Sequence, residues 1–136
     1  MKVYGVGWIA TALVFVGLDA VWLSLAASRL YRPMLGELLR KDFLVAPAAL
    51  FYLIYTCGIV IFAVSPALSS GRWSTAGLRG LLLGVFGYAV YDLTNQATLR
   101  TWPAAVTVAD LAWGSLLTAV AAISGLLAAR AAGAAS

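Results

Sequence analysis

Four apolar segments, at about 3–27, 45–64, 76–97 and 104–129, constrain this chain more than any motif in it. Each approaches the ~20 residues with which a helix crosses ~30 Å of hydrocarbon, where the backbone finds hydrogen-bond partners only within its own helix. The expected fold is therefore all-α: an integral membrane bundle of four transmembrane helices in a single domain. Composition agrees, because 63% of the residues are hydrophobic and 10% are charged, too few to cover a soluble domain. The apolar run after Lys2 continues well past the ~7 to 15 residues of a secretory signal's core, so it is expected to be the first span.

Between the first two spans lies a charged connection with Arg29, Arg32, Arg40 and Lys41 beside Glu37 and Asp42. Within it, residues 33–43 carry Met34, Leu35, Leu38 and Leu39 on one side, which predicts a short interfacial helix. Pro66 and the run Ser69-Ser70-Gly71 are expected to end the second helix in a loop of about ten residues. The link from Arg100 to Pro103 is so short that the third and fourth helices must be antiparallel neighbours. Gly80 and Gly84 form a Gly-x-x-x-Gly pair that suits close helix packing, and a homo-oligomer stays open. The tail from Ala131 to Ser136 is expected to fray.

Several classes fall away. The net charge is +4, and the Lys and Arg residues sit at the ends of apolar runs as interface anchors, so no nucleic acid partner is expected. The lipid bilayer is the expected partner. With no histidine, His-based catalysis, haem ligation, the usual zinc sites and a di-iron desaturase are excluded. Cys57 stands alone in an apolar run and reads as a packing residue. No cofactor and no metal site are expected.

The chemistry concentrates in residues 91–103. On a helix Tyr88, Tyr91, Asp92 and Asn95 fall at i, i+3, i+4 and i+7 and form one polar and aromatic stripe. Asp92 and Asp110 lie equally far, nine residues, on either side of Thr101, so antiparallel helices bring them to one level. Asp19, near the end of the first helix, belongs to the same leaflet. Asp19-Ala20-Val21-Trp22-Leu23-Ser24-Leu25 and Asp110-Leu111-Ala112-Trp113-Gly114-Ser115-Leu116 repeat Asp, Trp, Ser and Leu at equal spacing. Each Asp thus shares a helix face with an indole. The opposite leaflet is almost wholly apolar, and the expected shape is a cup open on one side. Asp within a membrane helix must face protein or water, at a cost of roughly 2.5 to 3.5 kcal/mol at the helix centre. A single Asp could be structural; three at one level favour a pocket. Asp92, Asp110 and Asp19 are the candidate catalytic groups. Trp22, Tyr91, Asn95, Trp113, Tyr52, Tyr55, Thr94 and Arg100 are the candidate ligand-binding residues.

A resemblance covers nearly the whole chain. Gly17-Leu18-Asp19-Ala20-Val21-Trp22-Leu23, Tyr31 with Leu35-Gly36, Phe51-Tyr52-Leu53-Ile54-Tyr55, the run Tyr91 to Arg100, Trp102-Pro103 and Asp110-Leu111-Ala112-Trp113-Gly114 are similar to a bacterial family of small predicted membrane proteins. That family is catalogued as a domain of unknown function. The resemblance implies four membrane helices in a multi-pass protein of the bacterial inner (cytoplasmic) membrane, and it implies no activity.

Three functions compete. The first is a pocket in one leaflet that binds a lipophilic or amphipathic small molecule, with acid–base catalysis of isomerase or cyclase type as an extension. There Asp92 and Asp110 would supply and relay a proton, and the aromatic rings would stabilise a cationic group. The second is a proton-coupled transporter resembling small multidrug exporters, which also have four short helices and an acid in the first. Five Lys and Arg residues on one side against four on the other would permit insertion both ways. The third is a scaffold or accessory subunit, in which internal hydrogen bonds satisfy the acids and no cavity exists.

Overall fold

The computed structural model describes residues 1–134. Four helices are long and apolar enough to cross a membrane: α1 (Lys2–Leu38), α2 (Val45–Ser70), α3 (Trp73–Thr98) and α4 (Ala104–Ala134). No strand forms among the described residues.

Two of these helices outrun their expected ends, and proline explains how. A proline removes one donor from the helical ladder and its ring crowds the carbonyl four residues earlier. In α1 a π turn at Ala27–Tyr31 precedes Pro33, and in α2 a π turn at Val60–Val64 precedes Pro66. The wider turn absorbs the misfit, so each helix continues. The expected interfacial helix at 33–43 is replaced by the end of α1, which runs through one helical turn at Arg32–Leu35 and a 3₁₀ turn at Gly36–Leu38. Gly36, with φ 49°, breaks the α-helix there, and residues 39–44 carry no helix. The expected ten-residue loop after α2 shrinks to Gly71 and Arg72. Gly71 adopts the left-handed conformation, φ 69°, and donates its N–H to the carbonyl of Ala67 at 3.1 Å. α4 stays helical to Ala134; residues 135–136 of the expected frayed tail lie outside the described residues.

Lipid is as apolar as leucine, so helices in it associate by close packing and interhelical hydrogen bonds. α4, the most buried of the four, packs along both α1 and α3. Its contact with α3 runs through glycine: a β-carbon at Gly84 would lie 2.5 Å from Ser115 Cα, and one at Gly80 would lie 2.9 Å from Ala119 Cα. The Gly-x-x-x-Gly face is thus used inside the chain. Toward α1, Gly7 fits against Ala129 and Gly125. α2 divides its contacts, its first half leaning on α1 and its second half meeting α3. Trp8 Nε1 of α1 donates to Thr56 Oγ1 of α2 at 3.2 Å. The packed core gathers Phe15, Ile59, Ala63, Val64, Leu117 and Leu126 toward one end of the bundle.

Candidate functional site

Above Phe15 the helices separate around a cavity of about 970 Å³. Its floor is aromatic: the Phe15 ring lies 5.2 Å from Tyr55 and 6.1 Å from Tyr52, centroid to centroid. Tyr55 is tied down by a 3.1 Å hydrogen bond between its hydroxyl and Thr118 Oγ1, and Tyr88 meets it edge-on at 6.3 Å.

The acids and indoles of the wall come from α1 and α4. Asp19 is buried and accepts two hydrogen bonds, from Tyr52 Oη at 2.7 Å and from Trp113 Nε1 at 3.3 Å. Asp110 accepts from the hydroxyl of Tyr31, which itself accepts from Trp22 Nε1 at 2.9 Å. The two indoles, Trp22 and Trp113, stack with centroids 4.8 Å apart and planes 10° from parallel. The arrangement is crossed: the indole of α4 serves the acid of α1 directly, and the indole of α1 serves the acid of α4 through Tyr31. Equal Asp-to-Trp spacing on two antiparallel helices makes that crossing geometrically available.

Asp92 lies on α3 behind this wall. It is fully buried, neither of its carboxyl oxygens has a donor, and its side chain faces that of Asp110, acceptor against acceptor. A proton on either carboxyl would turn the facing acceptors into one hydrogen bond.

Of the eight expected ligand-binding residues, Trp22, Trp113, Tyr52, Tyr55, Tyr91 and Thr94 line the cavity, as do Asp19 and Asp110. Asn95 and Arg100 do not, and Asp92 touches the cavity only by way of Asp110. Thr94 lends its methyl-bearing surface, since its hydroxyl is spent on the carbonyls of Val90 and Tyr91 within its own helix. Tyr91 stands at the rim, edge-on to Trp102 at 5.8 Å. The three acids come into one neighbourhood without converging on a point, and among the described residues no three His, Cys, Asp or Glu side chains could share a metal ion.

Sequence reasoning missed Tyr31, Arg32 and Trp102 as wall residues. For Tyr31 the reason is the π turn. Nine residues are about two and a half turns of a regular α-helix, which sets Tyr31 opposite Trp22. The extra residue taken up at Ala27–Tyr31 swings it back to the face where the Trp22 hydrogen bond forms. Pro33, two residues on, was the available signal.

The acid, indole and phenol groups that build this wall come from all four helices. No curated protein and no solved structure matches the chain. The segments that carry the wall fall within residues 4–127, which match the family described as predicted membrane protein (DUF2177), a domain of unknown function, and the chain belongs to that family.

Proposed function

We propose that this multi-pass membrane protein binds a lipophilic or amphipathic small molecule in the cavity between its helices, with Asp110 and Asp19 addressing the polar end. The carrying observation is that two buried acids, each already gripped by phenol or indole donors, stand on the wall of a cavity of about 970 Å³ whose remaining surface is mainly apolar. Such a site orients a molecule by its head and solvates its body. The stacked indoles and the surrounding tyrosines favour a head that is cationic or becomes so.

Acid–base chemistry extends the same reading. Asp110 is the group that could give a proton to the bound head, Tyr31 fixes its carboxyl, and the buried Asp92 carboxyl stands behind it as a second acid able to exchange that proton. An isomerisation needs nothing more, since the proton given at one atom is recovered from another. The compartment proposed with this reading is the bacterial inner membrane, in keeping with helical spans rather than a barrel.

The competing readings meet specific obstacles. Transport needs a path through both leaflets, and the end of the bundle beneath Phe15 is filled by side chains with no exposed surface, among them Ile59, Val64 and Leu126. A scaffold accounts for the internal hydrogen bonds of Asp19 and Asp110 but not for the cavity beside them.

Native mass spectrometry of the protein released from mild detergent tests the proposal. The expected spectrum carries one bound small molecule, lost in Trp22→Ala, which removes half of the indole stack and the donor to Tyr31. A spectrum of bare chain in the wild type sinks the reading.

A further inference from the structure

The cavity has a side opening, and the way α2 meets its neighbours explains it. The backbone of the first half of α2, Val45–Ile59, packs on α1, while its close approach to α3 lies in the second half from Val60 onward, with the Tyr55 side chain reaching α3 from the first half. The two helices therefore splay apart toward the acidic end. Their last meeting point is Tyr55 against Gly87, where a β-carbon on the glycine would stand 3.1 Å from the tyrosine ring. Beyond it Phe51 on α2 and Val90 on α3 both line the cavity, yet 43% and 68% of their surfaces are exposed. In a bilayer that exposed surface, within two membrane-spanning segments, faces acyl chains.

From this geometry we infer that the occupant is a lipid of the bilayer itself, an amphiphile whose acyl chain slides in sideways between α2 and α3 from the leaflet around the acids. This rests on the cavity reading above and adds the source and class of the ligand. A chain entering there needs no transfer through water, so its apolar body moves from lipid to an apolar slot at little cost. Only the head exchanges partners, leaving the interface for the Asp110, Asp19 and indole wall. The slot is narrow at its base because Tyr55 is pinned by Thr118 and the Leu83 carbonyl, so an inserted chain stops above Gly87.

The test uses the full chain in vesicles, with Cys57→Ala, Trp8→Phe, Trp73→Phe and Trp102→Phe so that Trp22 and Trp113 alone fluoresce. Val90→Cys provides a handle at the slot, and Leu13→Cys, exposed on α1 and outside the cavity lining, is the control. Each introduced thiol is capped with a bulky methanethiosulfonate reagent and then released with reductant. The probes are phosphatidylcholine with brominated acyl chains, mixed into the bilayer, and a brominated fatty acid added from water. The expected result is quenching by the brominated phospholipid that falls by most of its amplitude when the Val90→Cys variant is capped, returns on release, and is unaffected by capping the Leu13→Cys control. Quenching by the phospholipid that the cap in Val90→Cys leaves unchanged overturns the side entry. Quenching by the fatty acid alone overturns the bilayer lipid as ligand while the cavity reading stands. Quenching by neither probe removes both.

Discussion

Asp19 shows how a carboxyl group is accommodated inside a bundle of apolar helices. Its two oxygens each accept one hydrogen bond, from Tyr52 on α2 and Trp113 on α4. Interhelical hydrogen bonds in bilayers average about 0.6 kcal/mol and reach about 1.7. Stranding either partner of a buried hydrogen bond costs about 1–3 kcal/mol, so Asp19 and its donors depend on one another. Asp19→Leu, which leaves two donors unpaired, is expected to destabilise by about 2 kcal/mol, and Tyr52→Phe, which strands one oxygen of the buried carboxyl, by about 1–3 kcal/mol. Adding Tyr52→Phe to Asp19→Leu should recover part of the loss, a coupling readable by unfolding each variant in mixed micelles. Additive losses would show that the bond is not formed. The sequence marks Asp19, Trp22, Asp110 and Trp113 as facing groups because their i, i+3 spacing needs only a regular helix. Tyr31 could not be placed on that face by spacing for the converse reason, since its position depends on a π turn.

Among the elements, α3 and α4 depend on the absence of side chains. At Gly84 a methyl group would overlap backbone atoms of Ser115 and Gly114, which cannot move aside. Gly84→Ala is expected to push the helices apart and cost about 1–3 kcal/mol. Gly17→Ala, in α1 with nothing within 4 Å, should instead stabilise by about 0.5–1 kcal/mol through helix propensity alone. Thermal unfolding of both variants in one detergent checks the contrast, and equal effects would refute the packing account. Element existence and order were legible because an apolar run near the bilayer's thickness has one structural solution. Element ends were less legible at Pro33 and Pro66. A proline in sequence reads as a stop, whereas a π turn before it lets the helix proceed.

Across the whole molecule, one end is packed and the other is hollow. No proton-driven flux is therefore expected from protein reconstituted into liposomes with an imposed pH gradient, in either direction of the gradient. Sustained uptake of a lipophilic cation that stops in Asp19→Asn would reverse that expectation and favour the transporter. The hollow end was foreseeable from the level of the acids, but the opening between α2 and α3 was not, because the splay of two helices depends on which of their halves touch. The crossed wiring of the acids also bears on how the chain is made. Asp19 leaves the ribosome with the first span, whereas Trp113, one of its two donors, arrives only when the fourth is being synthesised. Until then α1 carries an acid with only Tyr52 of its two donors available. The polar contacts of the first segment are thus complete only once the last segment is in place.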